Sequence, residues 1–271
     1  MTDFAEETET RRRPTLPEGW SNWVLATGAH LAVLALWWGA TVWGSLPSFI
    51  LPSPGQTLAT LFDQNYGWWA NTLVTATEIF VGYALAIVAA VISAMLFSWF
   101  RLLRSTLFPL FITISMIPKV ALGPLLVVWF GYGIATNIFF AFIISFFPIL
   151  ITTARGLREV EPDLLDLVRA LNGTRWQIFR KIQFPGALPY IFSSMKVGAI
   201  LAVAGAIVGE FVASSKGLGY LMIQVQSTLD TAAMFMAVIL LSLLGVALFV
   251  FVVILERLMV VKDARLDGTS T

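Results

Sequence analysis

The sequence predicts an all-α protein that crosses a membrane several times, and three features of the chain support this fold class. Hydrophobic residues make up 58% of the 271 residues and charged residues only 12%, about half the charged share of a soluble domain. The apolar residues are gathered in runs long enough for a helix to span a bilayer. The basic residues lie mainly in alternate connections between these runs. We therefore expect a polytopic membrane protein with about six transmembrane helices.

Each of the apolar runs is predicted to be a transmembrane helix. They cover approximately 23–45, 73–99, 106–130, 134–154, 188–212 and 231–256. The first run is too long for the apolar core of a cleaved signal peptide, so it is expected to persist as a helix. In the third run Pro118 removes a backbone donor and, together with Gly123 and Pro124, predicts a bend.

The distribution of Lys and Arg predicts the orientation of these helices. Fourteen of the 17 basic residues precede the first helix, follow the sixth, or lie in the second-to-third and fourth-to-fifth connections. Basic connections stay on the cytoplasmic side, so both termini are predicted to be cytoplasmic. Residues 1–18 and 261–271 are polar and are expected to be tails of a membrane domain that covers 19–260.

Two polar segments are predicted on the other side of the membrane. In LPSPGQTLATLF, Ser53 and Gln56 form a capping-box pattern that predicts a short helix. The segment SSKGLGY at 214–220 is expected to be irregular, because Gly217 and Gly219 allow a tight bend. Both a gate and a plain loop are open interpretations of this second segment.

The segment 161–189 is unusually polar for so apolar a chain. A proline and acidic residues at its start predict a helix, and leucines spaced at helical intervals give that helix one apolar face. Asn172 and Gly173 predict a helix stop, and Thr174 predicts the N-cap of a second short helix that Pro185 is expected to end. Two such helices bury little against each other, so either a partner protein or the lipid headgroups must cover them.

This segment resembles the EAA coupling loop of ATP-binding-cassette (ABC) importer permeases. In that loop an acidic residue is followed by small residues, a glycine turn and a helix before a proline. Here Asp166-Leu167-Val168 stands in place of Glu-Ala-Ala, and Asn172 stands in place of the glycine. Further stretches resemble the nitrate/taurine/sulfonate/bicarbonate branch of these permeases: FILPSPGQTL at 49–58, PKVALGPLLVVWFG at 118–131 and GEFVASSKGLGYLM at 209–222.

The resemblance implies a type I ABC importer permease fold with a cytoplasmic coupling loop at about 158–187. It also implies a bacterial cytoplasmic (inner) membrane, a second copy of the chain, two ABC ATPase subunits and an extracytoplasmic solute-binding protein, with no nucleic acid partner. On this view the residues that contact the ATPase are Asp166, Arg169, Asn172, Gly173, Arg175 and Pro185. The alternative for each charge is a side chain that faces water or lipid headgroups.

The sequence also indicates which chemistry the chain lacks. No G-x-x-x-x-G-K-[ST] phosphate-binding loop occurs, and there is no cysteine to act as a nucleophile or metal ligand. We therefore expect a non-catalytic chain without a cofactor of its own. The resemblance implies that ATP and Mg are bound by the partner ATPase.

Ionisable residues inside the predicted spans are candidates for lining a solute pathway, because charges are costly in lipid. They are Glu78, Lys119, Lys196 and Glu210. Lys119 follows the bend at Pro118, and a cation there suits a small anion such as a sulfonate, nitrate, bicarbonate or organic carboxylate. The alternatives are an ion pair of Lys119 with Glu78 or Glu210, and a Lys196 side chain that reaches the membrane interface.

Two other functions fit the same sequence. An ion-coupled secondary carrier would use the intramembrane charges and act without an ATPase. A membrane scaffold would use the polar segment only to recruit a partner, and would transport nothing.

Overall fold

The computed structural model describes residues 18–44, 47–160 and 162–260. The predicted tails lie outside these residues, apart from Glu18, which begins the first helix. Within the described residues every regular element is helical. The α-helices are α1 (Glu18–Trp43), α2 (Pro54–Ala59), α3 (Trp68–Trp99), α4 (Arg101–Ser115), α5 (Gly123–Phe130), α6 (Ile134–Gly156), α7 (Pro162–Ala170), α8 (Arg175–Ile178), α9 (Phe184–Ala213), α10 (Leu218–Ser227) and α11 (Thr231–Met259).

Five helical segments are long and apolar enough to cross a membrane, namely α1, α3, α6, α11 and the continuous segment from α8 through α9. The predicted span at 106–130 has a different form. Here α4 is followed by a 3₁₀ turn (Lys119–Leu122) and α5, and the two halves are bent by 88°. Pro118 lies in the break, so the predicted bend is confirmed. The bend is sharp enough to make this a broken span or a re-entrant pair.

Helices α3, α6 and α9 form the centre of the bundle. They approach closely because small residues meet at their contacts: a Cβ added at Gly82 of α3 would lie 2.6 Å from Ala141 Cβ of α6, and one added at Gly205 of α9 would lie 2.8 Å from Ala141 Cα. In lipid, helices associate through such close contacts and through hydrogen bonds. Tyr83 supplies one of these bonds by donating to the carbonyl oxygen of Met195 at 2.7 Å.

The remaining helices surround this centre. Helix α11 packs on α9, α10 packs on both, and α2 lies against α11. Helix α1 is mostly exposed and touches the bundle through Trp37, whose ring stacks on Phe235 with centroids 5.6 Å apart.

The two ends of the bundle differ in character. Trp99, at the end of α3, packs edge-on against Trp176 of α8 with ring centroids 5.6 Å apart, so the connection after α3 and the 158–187 loop share one end, here called the basic end. The opposite end holds α2, α10 and the connections on either side of α10.

Local capping signals in the sequence are confirmed. The Thr174 hydroxyl accepts from Gln177 N–H at 3.3 Å, and the Gln177 side chain accepts from Thr174 N–H at 2.8 Å. Ser53 and Gln56 form the same reciprocal pair at the start of α2. These motifs need only neighbours three residues apart, which is why the sequence predicts them.

The prediction that Pro185 ends the second short helix is wrong. The chain stays helical from Arg175 to Ala213, over 39 residues. A π-helical turn (Phe179–Gln183) precedes the proline, and Phe184 N–H donates to the carbonyl oxygen of Phe179, five residues back. Pro185 follows this turn directly, as the second residue of α9, and the helix continues past it.

The close contact at Gly82 can be tested by Gly82→Val. The added side chain must push α3 away from α6, so we expect a loss of stability of about 1–3 kcal/mol, the usual range for overpacking. Gly28→Val in α1 is the matched control, because a Cβ at Gly28 has nothing within 4 Å. Thermal unfolding in detergent should show a lower midpoint for Gly82→Val alone. Equal midpoints for both variants would contradict the packing.

Candidate functional site

The turn between α7 and α8 has a defined backbone geometry. Asn172 adopts the left-handed conformation with φ of 55°, and Gly173 N–H donates to the carbonyl oxygen of Val168 at 2.9 Å. This bond closes a Schellman-type helix end. A Cβ on Gly173 would lie 2.8 Å from the same oxygen, so glycine is required there. The helix stop that the sequence predicts at these residues is confirmed.

The residues predicted to contact an ATPase lie on one loop at the basic end. Asp166, Asn172, Arg175 and Pro185 are exposed, and Gly173 is half-buried. Arg169 belongs to α7, and its side chain lies outside the described part of the chain. Exposed apolar side chains lie beside these polar ones: Leu164, Leu167, Leu171 and Trp176.

Aromatic side chains attach this loop to the spanning helices. The ring of Trp99 meets Phe179 edge-on at 5.3 Å between centroids, and Trp176 stacks on Phe179 at 6.0 Å. A cleft of roughly 770 Å³ lies beside them, and Leu165, Arg175 and other residues of the loop line it. The loop is therefore packed against the end of α3.

Glu78 and Glu210 are buried near the opposite end of the bundle. Glu78 of α3 accepts a hydrogen bond from Asn137 Nδ2 of α6 at 2.7 Å. Glu210 of α9 accepts from the Thr75 hydroxyl of α3 at 2.5 Å and from backbone N–H groups at the start of α10. Three spanning helices therefore meet at a polar cluster that is closed to solvent and lipid.

Lys119 has neither of the carboxylate partners considered for it. Its ammonium group donates to the carbonyl oxygen of Ser115 and lies 5.3 Å from the centroid of the Phe147 ring. Ser115 is the last residue of α4, where carbonyl groups have no partner inside the helix and a cation is favourable. Lys119 therefore caps α4 at the 88° bend and stays partly exposed.

The expectation that Lys196 reaches the membrane interface is replaced by an ion pair between helices. Its Nζ lies 2.6 Å from Glu256 Oε2 of α11, and the side chains of Lys196 and Glu256 are 19% and 2% exposed. Glu256 is the last residue of the sixth predicted span, and no sequence pattern predicts that it pairs with a residue 60 positions away. The pair joins α9 to α11.

Comparison with known proteins decides the family. The family model described as "Binding-protein-dependent transport system inner membrane component" matches residues 82–261. This chain belongs to that family.

Relatives of the permease are also transport permeases. A probable ABC transporter permease of Haemophilus influenzae is 36% identical over 217 residues, which cover 80% of this chain and 89% of the relative. The riboflavin transport system permease of Chloroflexus aurantiacus is 34% identical over 86% of this chain and 88% of its own length. A putative aliphatic sulfonates transport permease of Escherichia coli is 28% identical over 87% of this chain and 89% of its own.

A solved structure agrees with the fold of the permease. An inward-facing MetNI methionine ABC transporter aligns with a TM-score of 0.56 and 22% identity, covering 68% of this chain and 94% of that chain. The predicted all-α, type I ABC importer permease fold is thus confirmed, and the chain is a membrane-embedded ABC transporter permease of an importer family.

Sequence reasoning missed several polar residues of the permease that bond to other helices: Asn71, Thr75, Asn137 and Glu256. Asn137 carried a usable signal, since an amide inside an apolar span needs a partner. Thr75 carried none, because a threonine in a spanning helix can bond to its own backbone instead, and Thr75 Oγ1 also lies 3.1 Å from Asn71 O.

The ion pair between Lys196 and Glu256 can be tested by a double-mutant cycle. Lys196→Met leaves a buried carboxylate without its cation, so we expect a loss of about 3 kcal/mol or more. The double variant Lys196→Met/Glu256→Gln should recover most of this loss, because neither charge remains. Thermal unfolding of the purified Lys196→Met, Glu256→Gln and double variants measures the coupling. Additive losses in the double variant would show that the two residues do not interact.

Proposed function

We propose that this permease is the membrane-spanning subunit of an ATP-driven importer in the bacterial inner membrane, with both termini in the cytoplasm. Two copies form the solute pathway, and an external solute-binding protein delivers the solute. Two ATPase subunits bind ATP and Mg and contact the 158–187 loop. The observation that carries the proposal is a loop helix, α8, that continues without interruption into the spanning helix α9, in a chain of a binding-protein-dependent family.

The surface of the loop supports docking of a partner protein. Leu167 and Leu171 are exposed next to Asp166 and Arg175. Exposed apolar side chains with charges around them are typical of protein interfaces. In such an interface the apolar groups provide most of the buried area, and the charges set the register and choice of partner.

The continuity of α8 and α9 supports a mechanical role for the loop. The segment from Arg175 to Ala213 has 39 residues, about 58 Å of helix at 1.5 Å per residue. Displacement of the loop by ATPase closure would therefore move the membrane end of the same helix. The aromatic contacts of Trp176 and Phe179 with Trp99 would pass part of this movement to α3.

The proposed solute is a small anion, such as a sulfonate, nitrate, bicarbonate or organic carboxylate. Lys119 supports this class, since it is a partly exposed cation at the bend between α4 and α5. Mass spectrometry of the solute that the external binding protein carries tests the class directly. A cationic or neutral solute would contradict it.

Co-purification tests the coupling of the permease to an ATPase. The tagged chain is extracted from its native membrane in mild detergent, and its stoichiometric partners are identified. Arg175→Glu should cut the recovered ATPase at least about tenfold, because a reversed charge at an interface costs more than about 1.4 kcal/mol. Arg101→Glu is the control, since Arg101 is exposed at the same end but outside the loop. We expect it to retain the ATPase.

The remaining outcomes favour the other functions. Solute uptake by the purified chain without nucleotide would support an ion-coupled carrier. A complex with a partner protein but without uptake under any condition would support a scaffold. Equal ATPase recovery with Arg175→Glu and Arg101→Glu would show that Arg175 does not contribute to the interface with the ATPase.

A further inference from the structure

The start of α10 has its backbone donors satisfied by side chains of other helices. The first N–H groups of a helix have no acceptor within the helix. At α10 four consecutive backbone N–H groups donate to side chains of α3 and α9. The pairs are Gly217 N with Asn71 Oδ1 at 2.9 Å, Leu218 N with Thr75 Oγ1 at 2.8 Å, and Gly219 N and Tyr220 N with Glu210 Oε2 at 2.5 and 3.2 Å.

Glu210 is the central acceptor of this arrangement. The Thr75 hydroxyl donates to its Oε1 and two backbone N–H groups donate to its Oε2. The carboxyl group of Glu78 also lies beside it. Glu210 is 1% exposed, and a buried carboxylate is tolerated when hydrogen bonds replace its hydration. The N-terminal end of a helix also favours a negative charge. A carboxylate therefore fits this position better than an amide.

The glycines of the segment are explained by the same contact. Gly217 has φ of 110°, a backbone conformation that side chains disfavour, and a Cβ there would overlap the Glu210 carboxyl group. A Cβ on Gly219 would lie 2.9 Å from Glu210 Oε2. Both glycines let the backbone approach the carboxylate closely. These contacts form one structural unit, here called the α10 clamp. It consists of Glu210, Gly217, Gly219, Asn71 and Thr75.

We propose that Glu210 is a positioning residue that makes α9 and α10 move as one body during transport. Thr75 links the clamp to α3, because its hydroxyl donates to Glu210 and accepts from Leu218. The helix that carries Glu210 extends from Arg175 at the basic end. Movement of the coupling loop would therefore move this helix, and the Glu210 carboxylate would pull the segment 214–227 with it at the opposite end. This inference rests on the proposed ATP-driven function.

Glu256 provides a control at the basic end of the bundle. It is also buried, and its Oε2 lies 2.6 Å from Lys196 Nζ. In Glu256→Gln an amide oxygen can accept that bond, far from the clamp. In Glu210→Gln the new NH₂ group faces donors, because one amide oxygen cannot replace both carboxylate oxygens. We therefore expect the same chemical change to affect α10 at Glu210 and not at Glu256.

The first experiment needs only the permease in lipid nanodiscs. The chain has no cysteine, so Lys216→Cys gives a single spin-label site in the segment before α10. We expect Glu210→Gln to make the label markedly more mobile, and Glu256→Gln to leave its spectrum unchanged. An unchanged spectrum with Glu210→Gln, or an equal change with both variants, would overturn the clamp. Where Glu210→Gln fails to fold, Thr75→Val replaces it with the same expectation.

The second experiment uses the assembled transporter in proteoliposomes. With Glu210→Gln we expect solute uptake per ATP hydrolysed to fall at least about tenfold, the factor that one charged hydrogen bond is worth. The amount of bound ATPase should stay at the wild-type level. Unchanged uptake per ATP would overturn the positioning role. A permease that never recruits an ATPase would instead overturn the proposed function and leave the spin-label result standing.

Discussion

The helix from Arg175 to Ala213 is the element on which the other features of the permease depend. In hydrocarbon an unpaired backbone group costs several kcal/mol, so the chain enters the membrane as helix and continues through Pro185. In the π-helical turn before this proline the Phe184 N–H bonds to the carbonyl oxygen five residues back, so the helix continues into Pro185. One helix can therefore carry Arg175 at the basic end and Glu210 at the other.

The polar residues inside the spans serve mainly to join helices. Glu78 bonds to Asn137, and Lys196 pairs with Glu256. Each contact connects two different helices and satisfies a group that lipid would not solvate. Lys119 differs, because it caps the end of its own broken span and is partly exposed. This difference is why Lys119, rather than the buried carboxylates, supports the proposed class of solute.

Local turns and helix caps were predictable from the sequence, and contacts between residues far apart in the chain were not. The turn at Asn172 and the cap at Thr174 follow from residues within three or four positions, and both are confirmed. The prediction that a helix ends at Pro185 was wrong, because residue patterns do not indicate where a π-helical turn forms. The partners of Glu256 and Glu210 lie on other helices, so only the packing of the bundle identifies them. The family resemblance supplied the fold, and the comparisons confirm it.

The distance between the two ends of α9 tests the central claim most directly. Spin labels are placed at Arg180 and Phe211, both exposed positions on the continuous helix. Labelled chains are diluted with unlabelled ones so that each assembled transporter carries at most one labelled copy, and the distance is measured by pulsed EPR with and without nucleotide. A rigid helix predicts one narrow distribution near 46 Å between the two backbones, at about 1.5 Å per residue, unchanged by nucleotide. A broad distribution, or a distance that shifts when ATP binds, would show a hinge in this helix and contradict transmission through it.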